Sequence, residues 1–287
     1  MKRDYRIAAA DRSGAMLGAR RGFTLIELLV VITIIGVLAG LVLPAINGAV
    51  RAARESAVAS EITLLEQSLA SFKTRMGDYP PSFLVIDESG QYGSNIVWLE
   101  GKNSAQIALT SAVSNHFSNI GGLKGVQLTT QTQKAIDRSK RYMSKLFNRA
   151  APKQDLDGDG RFNSAWILEG DECLVFFLGG IPRPYNDPNS GISYELTGFC
   201  KRPDSPLFAK VENGPVPPNW PYDSKLTLNR DTPFFEFKTE RLVDFDGDGF
   251  PSYIDSLGTE EESRPYVYFS AYGNNSYDPH DCNFNIE

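Results

Sequence analysis

Two short strings in this 287-residue chain space their carboxylates as a hard cation requires. The first is Asp155-Leu-Asp157-Gly-Asp159-Gly160-Arg161-Phe162-Asn163, and the second is Asp244-Phe-Asp246-Gly-Asp248-Gly249-Phe250. Each sets oxygen donors at the first, third and fifth loop positions and a glycine at the sixth, where the backbone must turn sharply. Calcium takes about 6–8 oxygen ligands, so a carbonyl at the seventh position and a carboxylate at the twelfth complete such a loop. In the second string these are Phe250 and Asp255, with Ser252 at the ninth. The spacing therefore predicts a calcium site of Asp244, Asp246, Asp248, the Phe250 carbonyl and Asp255. In the first string Asp155, Asp157, Asp159, the Arg161 carbonyl and Asn163 are the corresponding donors, but Trp166 stands at the twelfth position and cannot coordinate. Glu169, Asp171 or Glu172 would have to substitute. The competing reading of both strings is a surface Asp-Gly turn. Neither His116 nor His280 has a partner in sequence, and no histidine pair, serine triad or catalytic cysteine arrangement emerges.

A third carboxylate stands alone. Glu27 is the one ionisable side chain in Phe23–Ile46, FTLIELLVVITIIGVLAGLVLPAI. As a helix these 24 residues rise about 36 Å, enough to cross the roughly 30 Å hydrocarbon core of a bilayer. A carboxylate near the centre of such a segment costs about 2.5–3.5 kcal/mol, less toward an end, so its presence marks function. A cleaved secretory signal has a shorter apolar region and a small-residue cleavage site, and Pro44-Ala45-Ile46-Asn47 is a poor one.

Charge divides at the same place. Met1–Gly22 carries six basic against two acidic side chains, +4; the remaining 23 basic and 33 acidic side chains give −10, and the two sum to the formal −6. Basic residues on the N-terminal side hold that end in the cytoplasm. The acidic remainder argues against a nucleic-acid binder. Aromatic content of 11% excludes a disordered chain, and three cysteines exclude a disulfide scaffold.

Arg20-Arg21-Gly22-Phe23-Thr24-Leu25-Ile26-Glu27-Leu28-Leu29 resembles the cleavage and methylation signature of type IV prepilins and type II secretion pseudopilins. The resemblance implies that a prepilin peptidase cuts between Gly22 and Phe23 and methylates the new Phe23 amine. Glu27 then becomes the fifth mature residue, the family's acidic position, and pairs with a neighbouring subunit's amine to set the filament register. Phe72-Lys73-Thr74-Arg75-Met76-Gly77-Asp78-Tyr79-Pro80 is similar to the end of the same helix in major pseudopilins. Together the two segments cover about the first 80 residues. They imply an inner-membrane protein with a cytoplasmic N-terminus and a periplasmic or extracellular C-terminal domain. Its partners would be the peptidase, other subunits and a secretion or pilus assembly platform. The family's calcium use supports the cation reading in general, not residue by residue.

Val58, Ile62, Leu65, Leu69, Phe72 and Met76 form one apolar helical face, so Phe23–Met76 reads as a single helix of 54 residues. Gly77 caps it and Pro80-Pro81 prevents continuation. The expected fold class is α+β and pilin-like: the long helix packed on a small antiparallel sheet, with helical and loop insertions. The divisions are a leader over 1–22, a membrane segment over 23–46, an amphipathic segment over 47–77 and a globular domain over 78–287. Helices are expected over Ser104–Phe117, over Lys134–Lys153 with a basic outer face, and over Glu172–Leu178 capped by Asp171. Strands are expected in Phe234–Val243 and Tyr266–Tyr272. Cys173 should face the core, while Cys200 and Cys282 are free to pair outside the cytoplasm. The functional expectation is a filament subunit of a secretion pseudopilus or a type IV pilus, with no enzymatic activity. The alternative is a membrane-anchored, calcium-binding surface protein or enzyme that uses a pilin-like anchor.

Overall fold

A computed structural model describes residues 23–93, 95–99, 105–121, 124–146, 156, 161–187, 191–201, 207, 230–257, 264–272 and 276–277. The first helix, α1, runs Leu25–Met76. It contributes to two compact units, Met1–Ala53 and Arg54–Glu287. In the first unit the helix is apolar and its described side chains are exposed throughout. Its most apolar 18-residue window has a mean hydropathy of 2.8, so it is long and apolar enough to cross a membrane.

In the second unit α1 buries one face. Leu65 and Phe72 are buried, and Leu69 and Met76 pack partly against the same cluster. The apolar face predicted from sequence holds from Leu65 onward. Ile62 departs from it and stays 43% exposed, because Glu61 occupies the inward position one residue earlier. Gly77 ends the helix with φ 84°, the left-handed conformation a C-capping glycine supplies, and its N–H donates to Lys73 O at 2.8 Å. Asp78 then pairs with Lys145 at 2.9 Å, and the Tyr142 hydroxyl donates to Tyr79 O.

Four strands form the main sheet in the order β1 (Leu84–Asp87), β4 (Ser164–Leu168), β2 (Ile96–Leu99), β3 (Ala105–Ala108). The two outer pairs are antiparallel, and the central β2–β4 pair, Trp98 opposite Ser164, is parallel. Helix α2 (Leu109–Gly121) packs on α3 (Gly125–Leu146), and α3 packs on β1. Phe83, Val85, Val113, Phe117 and Ile136 fill the space between them. Helix α4 (Gly170–Gly179) is buried along its whole length and carries Phe176 and Phe177 edge-on to Phe199, Phe250 and Phe72. Two-stranded antiparallel pairs complete the unit: β5 (Pro182–Asp187) with β6 (Gly191–Leu196), β7 (Leu242–Val243) with β8 (Ser252–Tyr253), and β9 (Ala271–Tyr272) with β10 (Ser276–Tyr277). The fold is α+β, a long N-terminal helix with small sheets.

Several element boundaries differ from expectation. Ala105–Ala108 is strand, and the expected helix begins only at Leu109, because the Gln106–Ile107 backbone pairs with Val97–Trp98. Helix α3 starts nine residues before Lys134, on the polar run 125–133, which pattern alone does not mark as helix. Most of Phe234–Val243 and Tyr266–Tyr272 is irregular; Phe234, Phe235, Phe237, Tyr266 and Tyr268 pack on the core without entering a ladder. Glu169, not Asp171, is the N-cap of α4, and Glu172 reaches back to accept from the Glu169 N–H at 2.9 Å. Cys173 is buried in the core as expected and Cys200 is buried, while Cys282 lies outside the described residues.

Candidate functional site: an exposed helix start and an acidic hairpin

The first site begins at the helix start. Phe23 is 80% exposed, and Thr24 precedes the first helical turn. Glu27 Oε2 accepts from the Thr24 N–H at 2.8 Å and the Thr24 hydroxyl at 2.7 Å, while the Glu27 N–H donates to Thr24 Oγ1 at 3.3 Å. This reciprocal capping box satisfies backbone donors at the helix N-terminus and places the carboxylate where the helix dipole favours it. Gly22 and the residues before it lie outside the described residues.

Family comparison bears directly on this segment. Residues 17–43 match the family described as the prokaryotic N-terminal methylation motif. This is a prepilin-type N-terminus. The chain is also similar to type II secretion system core protein G of Escherichia coli (strain K12), 46% identical over 61 residues, 21% of this chain and 42% of that protein. The protein of the same name from Aeromonas hydrophila is 42% identical over 66 residues, 23% of this chain and 46% of the relative. That from Dickeya chrysanthemi is 44% identical over 61 residues, 21% of this chain and 40% of the relative. The chain thus spans less than half the length of these relatives. No solved structure matches it. Most of the globular part therefore lies outside these matches.

The second site is built in the globular part. Strands β7 and β8 form a hairpin whose connection carries Asp244, Asp246 and Asp248. Gly247 and Gly249 have φ of 76° and 93°, which explains the glycine at the sixth position. Asp244 shapes the loop: its carboxylate accepts from the N–H groups of Gly247 and Gly249 and from the Tyr194 hydroxyl, at 2.6, 3.0 and 2.7 Å. Asp248 is buried and accepts from the Phe250 N–H at 2.7 Å. One carboxylate oxygen each from Asp246, Asp248 and Glu172 lies within 4.8 Å of the others. Asp171 sits beside them and accepts from the Ser252 hydroxyl at 2.8 Å.

Glu172 had been linked in sequence to the first string; in space it joins the second. Asp255 stands outside this three-carboxylate group and accepts from the Leu257 N–H at 2.8 Å. Of the first string, Asp155, Asp157 and Asp159 lie outside the described residues, Arg161 is exposed and Asn163 is half-buried. Trp166, its twelfth position, is built into the core edge-on to Phe250. Buried Glu88 accepts from the N–H groups of Leu156 and Ser164, at 2.6 and 3.0 Å.

Electrostatics at the hairpin are one-sided. Burial, then the charges of Asp248 and Asp246, push Glu172 well above the usual carboxylate range. Burial and the Asp246 charge do the same to Asp248. Desolvation, then the charge of Asp244, moves Asp246 up to about 6, although that side chain keeps a face open to solvent. Burial also raises Asp171. Three converging hard oxygens, with no cationic side chain among them in the described residues, suit a divalent cation in chemistry.

A further carboxylate had no assigned role in the sequence. Glu61 on α1 is held by Arg241 through two contacts of 2.8 Å, by the Tyr253 hydroxyl at 2.8 Å and by the Tyr266 hydroxyl at 2.7 Å. Burial opposes its charge, but these hydrogen bonds win and hold Glu61 below its usual range. The signal was present: a charge at position 61 sits between Val58 and Leu65 on the inward face of the helix.

Proposed function

We propose that this chain is a structural subunit of a type II secretion pseudopilus. A prepilin peptidase cuts between Gly22 and Phe23 on the cytoplasmic side of the inner membrane and methylates Phe23. The helix beginning at Leu25 anchors the subunit, and residues from about 47 onward are exported. Glu27, freed from its capping box with Thr24, pairs with the Phe23 amine of an adjacent subunit during assembly on the secretion platform. The observation that carries this reading is the coincidence of the matched segment, 17–43, with an exposed apolar stretch of α1 whose lone carboxylate stands at its start. The secretion proteins among the relatives favour a pseudopilus over a type IV pilus.

The proposal extends to calcium held by Asp246, Asp248, Glu172 and the Phe250 carbonyl, with Asp244 shaping the loop. Its role is conformational: it neutralises a carboxylate cluster that otherwise repels itself. No catalytic role is assigned to it.

Co-expression with a prepilin peptidase and a secretion platform tests the subunit reading. Sheared surface fibres should contain the mature chain, and Glu27→Ala should reduce them at least ten-fold while leaving the chain in the membrane. Fibres that form equally well with Glu27→Ala would overturn the assigned role of Glu27. Wild-type chain that is never recovered in fibres would overturn the filament reading.

A further inference from the structure

The acidic hairpin is held at both ends. At its tip, Asp246 and Asp248 converge on Glu172 of α4, and Ser252 bonds to Asp171 of the same helix. At its base, Arg241 immediately precedes β7 and Tyr253 lies in β8, and both grip Glu61 of α1. Arg241 also ties the base across itself: its Nε donates to Ile254 O at 2.8 Å, and its guanidinium lies 4.2 Å over the Tyr253 ring. Tyr266 brings a third segment to the same carboxylate. Glu61 thus receives four charge-assisted or phenolic hydrogen bonds, and both partners of its ion pair are largely shielded from solvent.

The loop between these anchors is short. Four residues, 242–245, separate Arg241, fixed to α1, from Asp246 at the tip facing α4. A short, internally hydrogen-bonded loop transmits displacement from one end to the other, because its Asp244 bonds leave little slack. Without a cation the tip carboxylates repel one another, and that repulsion pushes the hairpin away from α4. The base can follow only by straining the Glu61 contacts.

We propose that Glu61, acting through Arg241 and Tyr253, is a positioning residue for the acidic hairpin, so that divalent-cation occupancy at the tip and seating of α1 residues 57–71 on the domain reinforce each other. The inference rests on the cation reading proposed above. It adds the direction in which occupancy acts, toward the helix from which the filament is built. Reciprocity is required: if the latch strengthens cation binding by some factor, the cation strengthens the latch by the same factor.

The test uses the full chain in detergent micelles, with calcium chloride as the probe. Calorimetric titration gives affinity, and amide exchange read by mass spectrometry gives protection. Calcium should slow exchange in 57–71 more than in 109–121, a contrast that uniform stabilisation of the domain does not produce. Glu61→Gln should weaken calcium binding about ten-fold, within the range of ordinary coupling between sites. Tyr266→Phe, which removes one hydrogen bond to Glu61 and keeps the ring that stacks on Tyr253, should weaken it several-fold. Arg241→Lys, which keeps the charge, should lose less affinity than Arg241→Met. Unchanged affinity in Glu61→Gln and Tyr266→Phe would overturn the latch while leaving the cation site standing. Saturation of wild-type protein without selective slowing in 57–71 would overturn it too, even if the Glu61 variant does not fold. A wild-type chain that binds no calcium would overturn the cation reading, and the latch inference with it.

Discussion

At the scale of single residues, two titratable groups shifted by desolvation give opposite responses to acid. His116 is packed against Phe83 and Phe117, and burial lowers it to about 4 despite Glu169 at 3.6 Å. A depressed histidine contributes stability above its unfolded value near 6.5, and that contribution is lost as pH falls toward about 4. Asp246 runs the other way. Raised from 3.8 to about 6, it contributes stability at low pH that is lost as pH rises through that window. In chelator-treated protein, Asp246→Asn should therefore steepen the loss of thermal stability between pH 6 and 4, and His116→Phe should make it shallower. Unfolding midpoints at half-unit pH steps measure both slopes. Slopes unchanged by either substitution would show that these groups do not govern the acid response. Saturating calcium should remove the Asp246 contribution, since the cation and the proton compete for one carboxylate.

At the scale of elements, α1 from Arg54 onward is held by an apolar stripe and one polar latch. Phe72 is fully buried and meets Phe177 and Phe234 edge-on at centroid distances of 5.7 and 5.2 Å. Phe72→Ala should cost about 3–5 kcal/mol, the usual range for a buried aromatic, and denaturant unfolding of the full chain in detergent measures it. A loss below about 1 kcal/mol would show that the stripe is not what seats the helix. This stripe was legible in sequence because Leu65, Leu69, Phe72 and Met76 recur at helical spacing and Gly77 closes the pattern. The latch was not, because Arg241, Tyr253 and Tyr266 lie about 180–205 positions away from Glu61. The same limit hid Glu172: its local sequence attached it to the nearer acidic string, and only tertiary packing brings it to Asp246 and Asp248. The parallel β2–β4 pairing is likewise non-local, whereas the aromatic content of 234–243 suggested a strand and serves packing instead.

For the whole molecule, charge and processing belong together. The formal −6 sums a basic N-terminal segment of +4, residues 1–22, and an acidic remainder of −10, and an apolar helix able to cross a bilayer follows the basic segment. Mass spectrometry of the chain recovered from membranes, with and without a co-expressed prepilin peptidase, tests that link most directly. Loss of Met1–Gly22 and gain of one methyl group on Phe23 are expected only when the peptidase is present, both blocked by a bulky substitution at Gly22. An unchanged mass for the wild-type chain, or cleavage elsewhere in the apolar segment, would contradict the proposed processing.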